Sequence, residues 1–111
     1  MDEITIEDFA KLEIKVGKVI KAHEVTGSDK LIRCVVDFGE FGQRIIFSGI
    51  RQWYLPEKLD GLLLPCLVNL KPKKMMGEES QGMILAAEDE SGENCVLLTP
   101  VTKIAPGTKV H

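Results

Sequence analysis

Apolar and polar residues alternate through much of this chain, and the phase of the alternation marks out strands. Across residues 14 to 25, Ile14, Val16, Ile20 and Ala22 share one parity, while Lys15, Gly17 and Lys21 take the other. That period of two is the pattern of a long half-buried strand. Gly17 inside it predicts a bend, where a barrel strand curls from one sheet into the next. Thr26-Gly27-Ser28-Asp29 is rich in turn formers. It leads into residues 31 to 38, where Ile32, Cys34, Val36 and Phe38 alternate with Arg33 and Asp37, so the two runs predict an antiparallel hairpin.

Gly39-Glu40-Phe41-Gly42 turns the chain into a third short strand, residues 43 to 47. Residues 48 to 61 break the alternation and form a connector, with a short helical segment at Pro56-Glu57-Lys58-Leu59 that Gly61 closes. Residues 62 to 70 are apolar on both faces, as in a central strand, although Pro65 lacks an N–H and imposes a local break in pairing. Residues 71 to 81 are polar, basic and glycine-containing, and predict a loop before a fifth strand at 83 to 87. A charged tip at 88 to 93, a return strand at 95 to 98 and a tail with a Pro106-Gly107 turn complete the chain. At the start, residues 6 to 12 predict a helical turn or two with Phe9 and Leu12 on one side. Five principal strands with a connector between the third and fourth are the element order of the OB-fold, a partly open Greek-key barrel. SH3-like barrels and small sandwiches share that strand count.

At 111 residues, the chain is long enough for one apolar core, so residues 1–111 are expected to form a single domain. Its 44% hydrophobic and 28% charged residues place it with packed globular proteins. No window approaches the length of an apolar membrane span, and the opening residues are acidic where a signal peptide would be basic and then apolar, so the expectation is cytoplasmic, with no membrane partner. Cys34, Cys66 and Cys95 are odd in number, contain no C-x-x-C pair and sit in strand-like runs, as reduced core thiols do.

The formal charge of -3 argues at first against a polyanionic partner. It is unevenly distributed: Asp2, Glu3, Glu7 and Asp8 crowd the start, and Glu88, Asp89, Glu90 and Glu93 crowd one hairpin tip. Setting those eight aside leaves nine acids against fourteen bases, so the rest of the chain is net basic by five charges.

Catalysis lacks its parts. His23 and His111 have no Cys, Asp or Glu partner at ligand spacing. There is no G-x-S-x-G, phosphate-binding loop or G-x-G-x-x-G, and no nucleophile beside a base, so no enzyme activity, metal or cofactor is expected. The informative stretch is Asn69-Leu70-Lys71-Pro72-Lys73-Lys74-Met75-Met76-Gly77, with three lysines in four residues after the most apolar strand. Pro72 restricts how those lysines are presented. Ser80, Gln81 and Met83 follow, adding a hydroxyl and an amide suited to phosphate or ribose oxygens. A second cationic stretch, Ser28-Asp29-Lys30-Leu31 with Arg33, lies between the first two strands. In an OB-fold the loops after the first and fourth strands border one binding face, so both clusters are expected to meet there. Neither contains an aromatic ring, which favours the backbone of a folded RNA over a stacked single strand. Trp53 and Tyr54 are expected to pack the connector against the barrel.

At these residues the sequence resembles the tRNA-binding domain family. That family includes free-standing tRNA-binding proteins, C-terminal domains of methionyl-tRNA synthetases and cytokine-like domains of synthetase complexes. The resemblance runs from about Phe9 to the end. It rests on Phe9-Ala10-Lys11-Leu12-Glu13-Ile14-Lys15-Val16-Gly17, Ser28-Asp29-Lys30-Leu31, Ser48-Gly49-Ile50, Val68-Asn69-Leu70-Lys71-Pro72-Lys73 and Glu79-Ser80-Gln81-Gly82-Met83-Ile84-Leu85-Ala86-Ala87. It implies an all-β, five-stranded OB-fold barrel with a short helical connector and a C-terminal extension. It implies non-catalytic binding of tRNA by shape, as a homodimer associated with an aminoacyl-tRNA synthetase catalytic region. The RNA face implied by position is Ser28, Lys30, Arg33, Asn69, Lys71, Lys73, Lys74, Met75, Ser80, Gln81 and Met83. A related branch resembles export-linked chaperones that hold peptides in a dimer groove, and a third reading is a pure dimerisation module. The lysine-rich stretch favours tRNA, since a peptide groove would carry an apolar rim.

Overall fold

In the computed structural model, which describes residues 1–111, a short helix α1 (Ile6–Phe9) leads into the long strand β1 (Ile14–Glu24). Thr5 caps the helix by accepting from Asp8 N, while the Asp8 carboxylate accepts from Thr5 N, a reciprocal capping box. No helix is long and apolar enough to cross a membrane.

β1 pairs antiparallel with β2 (Ile32–Asp37), but its faces differ from strict alternation. Val19 stands opposite Val36 and Lys21 opposite Val35, so Ile20 is the extra residue of a β-bulge. The inward set is therefore Val19 and Ala22, whereas Ile20 is 44% exposed and Val16 is buried outside the central cluster, against the C-terminal segment. Beside the bulge, Asp60 accepts the Ala22 N–H at 2.9 Å. That bond, with Lys21 nearby, holds the Asp60 carboxyl below its ordinary range. Gly17 is required by packing: a Cβ there would lie 2.4 Å from Val36 Cγ1 and 2.7 Å from the Phe38 ring.

β2 continues into β3 (Gln43–Ser48), and the connector follows, with one short 3-10 turn at Pro56–Lys58. Trp53 donates its indole N–H to Glu93 O and Tyr54 Oη accepts from Leu97 N, so both rings pack the connector as expected. β4 (Leu63–Leu67) then pairs with the first half of β1. Residues 71 to 81, expected to be a loop, instead form a two-stranded ribbon of β5 (Lys73–Met75) and β6 (Glu78–Ser80). Its turn is Met76-Gly77, with φ of 50° and 85°. Two successive left-handed residues give the twist that a tight hairpin needs.

The expected fifth strand is split. β7 (Met83–Ile84) pairs with β4, and Leu85 N still donates to Pro65 O at 3.0 Å. Pro65 has no N–H to return the bond. There the ladder ends, and β8 (Ala86–Glu88) pairs instead with β9 (Cys95–Leu97) in a separate hairpin. The tail also carries structure: β10 (Lys109–Val110) pairs with the start of β1, Val16 N donates to Thr108 O and Gly107 N donates to Val16 O.

The sheet order β3-β2-β1-β4-β7 curls round until residues 80 and 81 meet β3, which makes the molecule an OB-fold barrel. Phe38, Ile32, Ile46, Leu59, Leu64, Val19, Val36, Cys34 and Cys66 are wholly buried inside it. Each large side chain among them contributes about 1.5–3 kcal/mol by leaving water. All three cysteines are buried and unpaired, and burial pushes the Cys34 and Cys66 thiols up to about 12, so both stay protonated and inert at neutral pH.

Candidate nucleic-acid interface

The two cationic stretches meet. Arg33 on β2 grips Glu78 on β6 with both arms of its guanidinium, Nε to Oε1 at 2.7 Å and Nη2 to Oε2 at 2.9 Å. Above that pair, the Met76 methyl lies where a Cβ on Gly27 would be 3.2 Å away, so the ribbon tip touches the β1–β2 loop. The loop carrying Lys30 and the ribbon carrying Lys73 and Lys74 thus stand side by side, although they are distant in sequence. Lys30, Lys71, Lys73 and Lys74 are exposed and make no ion pair. Met83 and Met76 are exposed as well, and Met75 is half-buried.

The other residues implied as RNA contacts are committed to the protein itself. Ser80 is buried, 5% exposed, where its hydroxyl accepts from Phe47 N at 3.0 Å and donates to Gly82 O. Its hydroxyl is therefore not free for an RNA oxygen. The Gln81 side-chain oxygen accepts from Ile45 N and its backbone N–H donates to Ile45 O, although the residue itself is exposed. Arg44 adds bonds to the carbonyls of Val68 and Gln81. Asn69 uses both ends of its amide, accepting from Glu13 N at 2.9 Å and donating to Lys11 O at 2.7 Å, which ties the approach to β1 against the end of β4. Ser28 Oγ accepts from the amides of Lys30 and Leu31 and so shapes the loop from within.

These assignments make Ser80 a test of architecture. Ser80→Ala leaves the buried Phe47 N–H without a partner, and the expected loss of stability is roughly 1–3 kcal/mol. Urea denaturation measures it; a loss below about 0.5 kcal/mol, the ordinary range for a neutral surface change, would show that the hydroxyl does not hold the seam.

Arg51, which sequence reasoning passed over, organises the β1–β2 loop. Its guanidinium donates to the carbonyls of Ser28 and Val25 and pairs with Glu24 at 3.0 Å, while its own N–H donates to Lys30 O at 3.1 Å. The available signal was a lone cation among packing residues in the connector, Ile50-Arg51-Gln52-Trp53-Tyr54. An exposed Phe41 with Lys15 Nζ 3.9 Å over its ring lies on the short turn before β3, the far end of that strand from the ribbon.

Residues 14–109 match the family model described as "Putative tRNA binding domain". Methionine–tRNA ligase of Archaeoglobus fulgidus is 53% identical over 109 residues, covering 98% of this chain and 16% of the ligase. The chain thus spans a small part of the length of such relatives. A MetRS-related protein from Pyrococcus horikoshii superposes with a TM-score of 0.94 at 40% identity, over 100% of both chains. The chaperone CsaA of Bacillus anthracis superposes at 0.89 with 34% identity, over 99% of this chain and 100% of that one.

Proposed function

Since the chain belongs to the tRNA-binding domain family, we propose that it binds folded tRNA by shape and phosphate contact, without catalysing a reaction on it. It works as a dimeric module beside a methionyl-tRNA synthetase catalytic region. The observation that carries this reading is the contact between the Lys30 loop and the lysine ribbon, with Arg33 between them. Lys30, Lys71, Lys73 and Lys74 grip phosphates, while Arg33, Met75, Gln81 and Met83 border them. Ser28, Asn69, Ser80 and Arg51 hold the surface in shape. Each lysine placed on a phosphate releases condensed counterions, so binding is steeply salt-dependent. The absence of an aromatic platform among these cations supports a rigid backbone over loose bases as the ligand.

The dimer is supported by the C-terminal segment. Leu98, Val101 and Ile104 are 44%, 102% and 45% exposed. Leu98 and Ile104 line an open cavity of about 410 Å³ together with Val16, Pro65 and Val110. Apolar surface gathered like this is suited to a second copy.

Electrophoretic mobility shift with folded tRNA and with unstructured RNA of equal length, alongside light scattering, tests both parts. Tighter binding of folded tRNA and a mass twice that of one chain are expected. Equal weak binding of both RNAs, or a single-chain mass, would refute the corresponding part.

The likeness to CsaA supports a second reading, peptide holding by a chaperone of the same fold. Displacement of bound tRNA by unfolded peptide would raise it above the first.

A further inference from the structure

The Arg33–Glu78 pair is an odd object at a phosphate-binding surface. A guanidinium presents its paired donors to a carboxylate or a phosphate in the same fork geometry. Glu78, with bonds of 2.7 and 2.9 Å, fills that fork. The pair is not sealed, since the two side chains are 31% and 44% exposed. The ribbon does not depend on it for attachment either, because Ser80 and Gln81 already fasten the ribbon's end to β3.

We propose that Glu78 is a built-in competitor that sets the affinity of this face: its carboxylate occupies the place of an RNA phosphate at Arg33 and must be displaced before that cation joins the interface. This inference rests on the tRNA-binding reading of the same face. The hydrogen bonds from Arg33 hold the Glu78 carboxyl below the usual carboxylate range, so the competitor remains charged through neutral pH. Ion pairs this exposed are weak and screened. An RNA phosphate can therefore take the fork when its neighbours are held at the same time by Lys30, Lys71 or Lys73. A folded RNA offers phosphates in fixed relation to one another, whereas a flexible strand pays the ordering entropy of each contact separately. Displacing Glu78 therefore costs a folded RNA that engages Arg33 the full worth of the pair, whereas a flexible strand that leaves Arg33 alone avoids that cost. Glu79, one residue on, makes no ion pair and stands opposite Lys74 in the ribbon, so it supplies a control of equal charge.

The experiment compares wild type, Glu78→Gln, Glu79→Gln and the double reversal Lys73→Glu/Lys74→Glu. Each is titrated with folded tRNA and with polyuridylate of equal length over a series of salt concentrations. Glu78→Gln is expected to bind folded tRNA about fivefold more tightly, the upper range for release of an exposed pair, and polyuridylate by no more than that. Its plot of log affinity against log salt steepens by about one, because no freed carboxylate recaptures a cation. Glu79→Gln changes both RNAs alike and less. A Glu78→Gln gain no larger than that of Glu79→Gln, or weaker binding with a lower melting temperature, would make the pair a structural staple and overturn the proposal. Wild type that binds neither RNA would end the tRNA reading and this inference together. Binding that survives the lysine reversal, with the Glu78→Gln pattern intact, would remove the lysine ribbon alone.

Discussion

Reversing Lys73 and Lys74 together to glutamate is expected to weaken tRNA binding by about a hundredfold at low salt, at ~1.5 kcal/mol for each charge-assisted hydrogen bond to phosphate that disappears. Both side chains are exposed on the ribbon and neither is tied up in an ion pair. The weakening should be the same for every tRNA tested, because phosphates position a protein without conveying base sequence. The slope of log affinity on log salt should also become shallower by about two, one for each phosphate no longer neutralised. Filter binding over a salt series measures both quantities. Wild-type affinity in the double variant would place the RNA elsewhere on the barrel.

Phe38→Ala is the substitution expected to cost most in stability, about 3–5 kcal/mol for removing a buried ring. Phe38 is 1% exposed, and its ring fills the space that Gly17 leaves open opposite β1. The backbone at Phe38 is closely packed as well, since a Cβ on Gly107 would lie 2.5 Å from Phe38 O. Against a total of roughly 5–15 kcal/mol for a domain of this kind, the variant has little margin at physiological temperature. Urea denaturation with an unchanged m-value should report it. A loss under about 1 kcal/mol would mean that the barrel is not braced at this ring.

Most strands of the barrel were legible because each keeps one period. Ile32, Cys34, Val36 and Phe38 read as an inward row and are one. The break at Pro65 was legible from chemistry alone, since a missing N–H cannot be supplied by context. Ile20 was assigned to the wrong face because a bulge leaves no mark in local composition; it becomes visible only when β2 stands opposite. The ribbon at 73–80 read as a loop because its turn puts Met76 in the left-handed region, an uncommon place for a side chain with a Cβ.

The candidate site divides in the same way. That Lys30 and the lysine stretch would share a face followed from the fold, whereas the internal commitments of Arg33, Asn69 and Ser80 did not. Their partners lie 45, 56 and 33 residues away. A polar side chain suited to an RNA oxygen is equally suited to a backbone amide, and only the folded chain decides which it meets.

The way the barrel closes bears on what kinds of partner it can take. Along the outer margin of β3, the Ile45 N–H and C=O and the Phe47 N–H are already answered, by Gln81 and by the Ser80 hydroxyl. An extended peptide that joins a sheet as an added strand needs that row of groups unpaired. β3 offers no such template. A peptide ligand at β3 would have to be held by side chains alone, and neighbouring copies have no backbone ladder there on which to begin an aggregate.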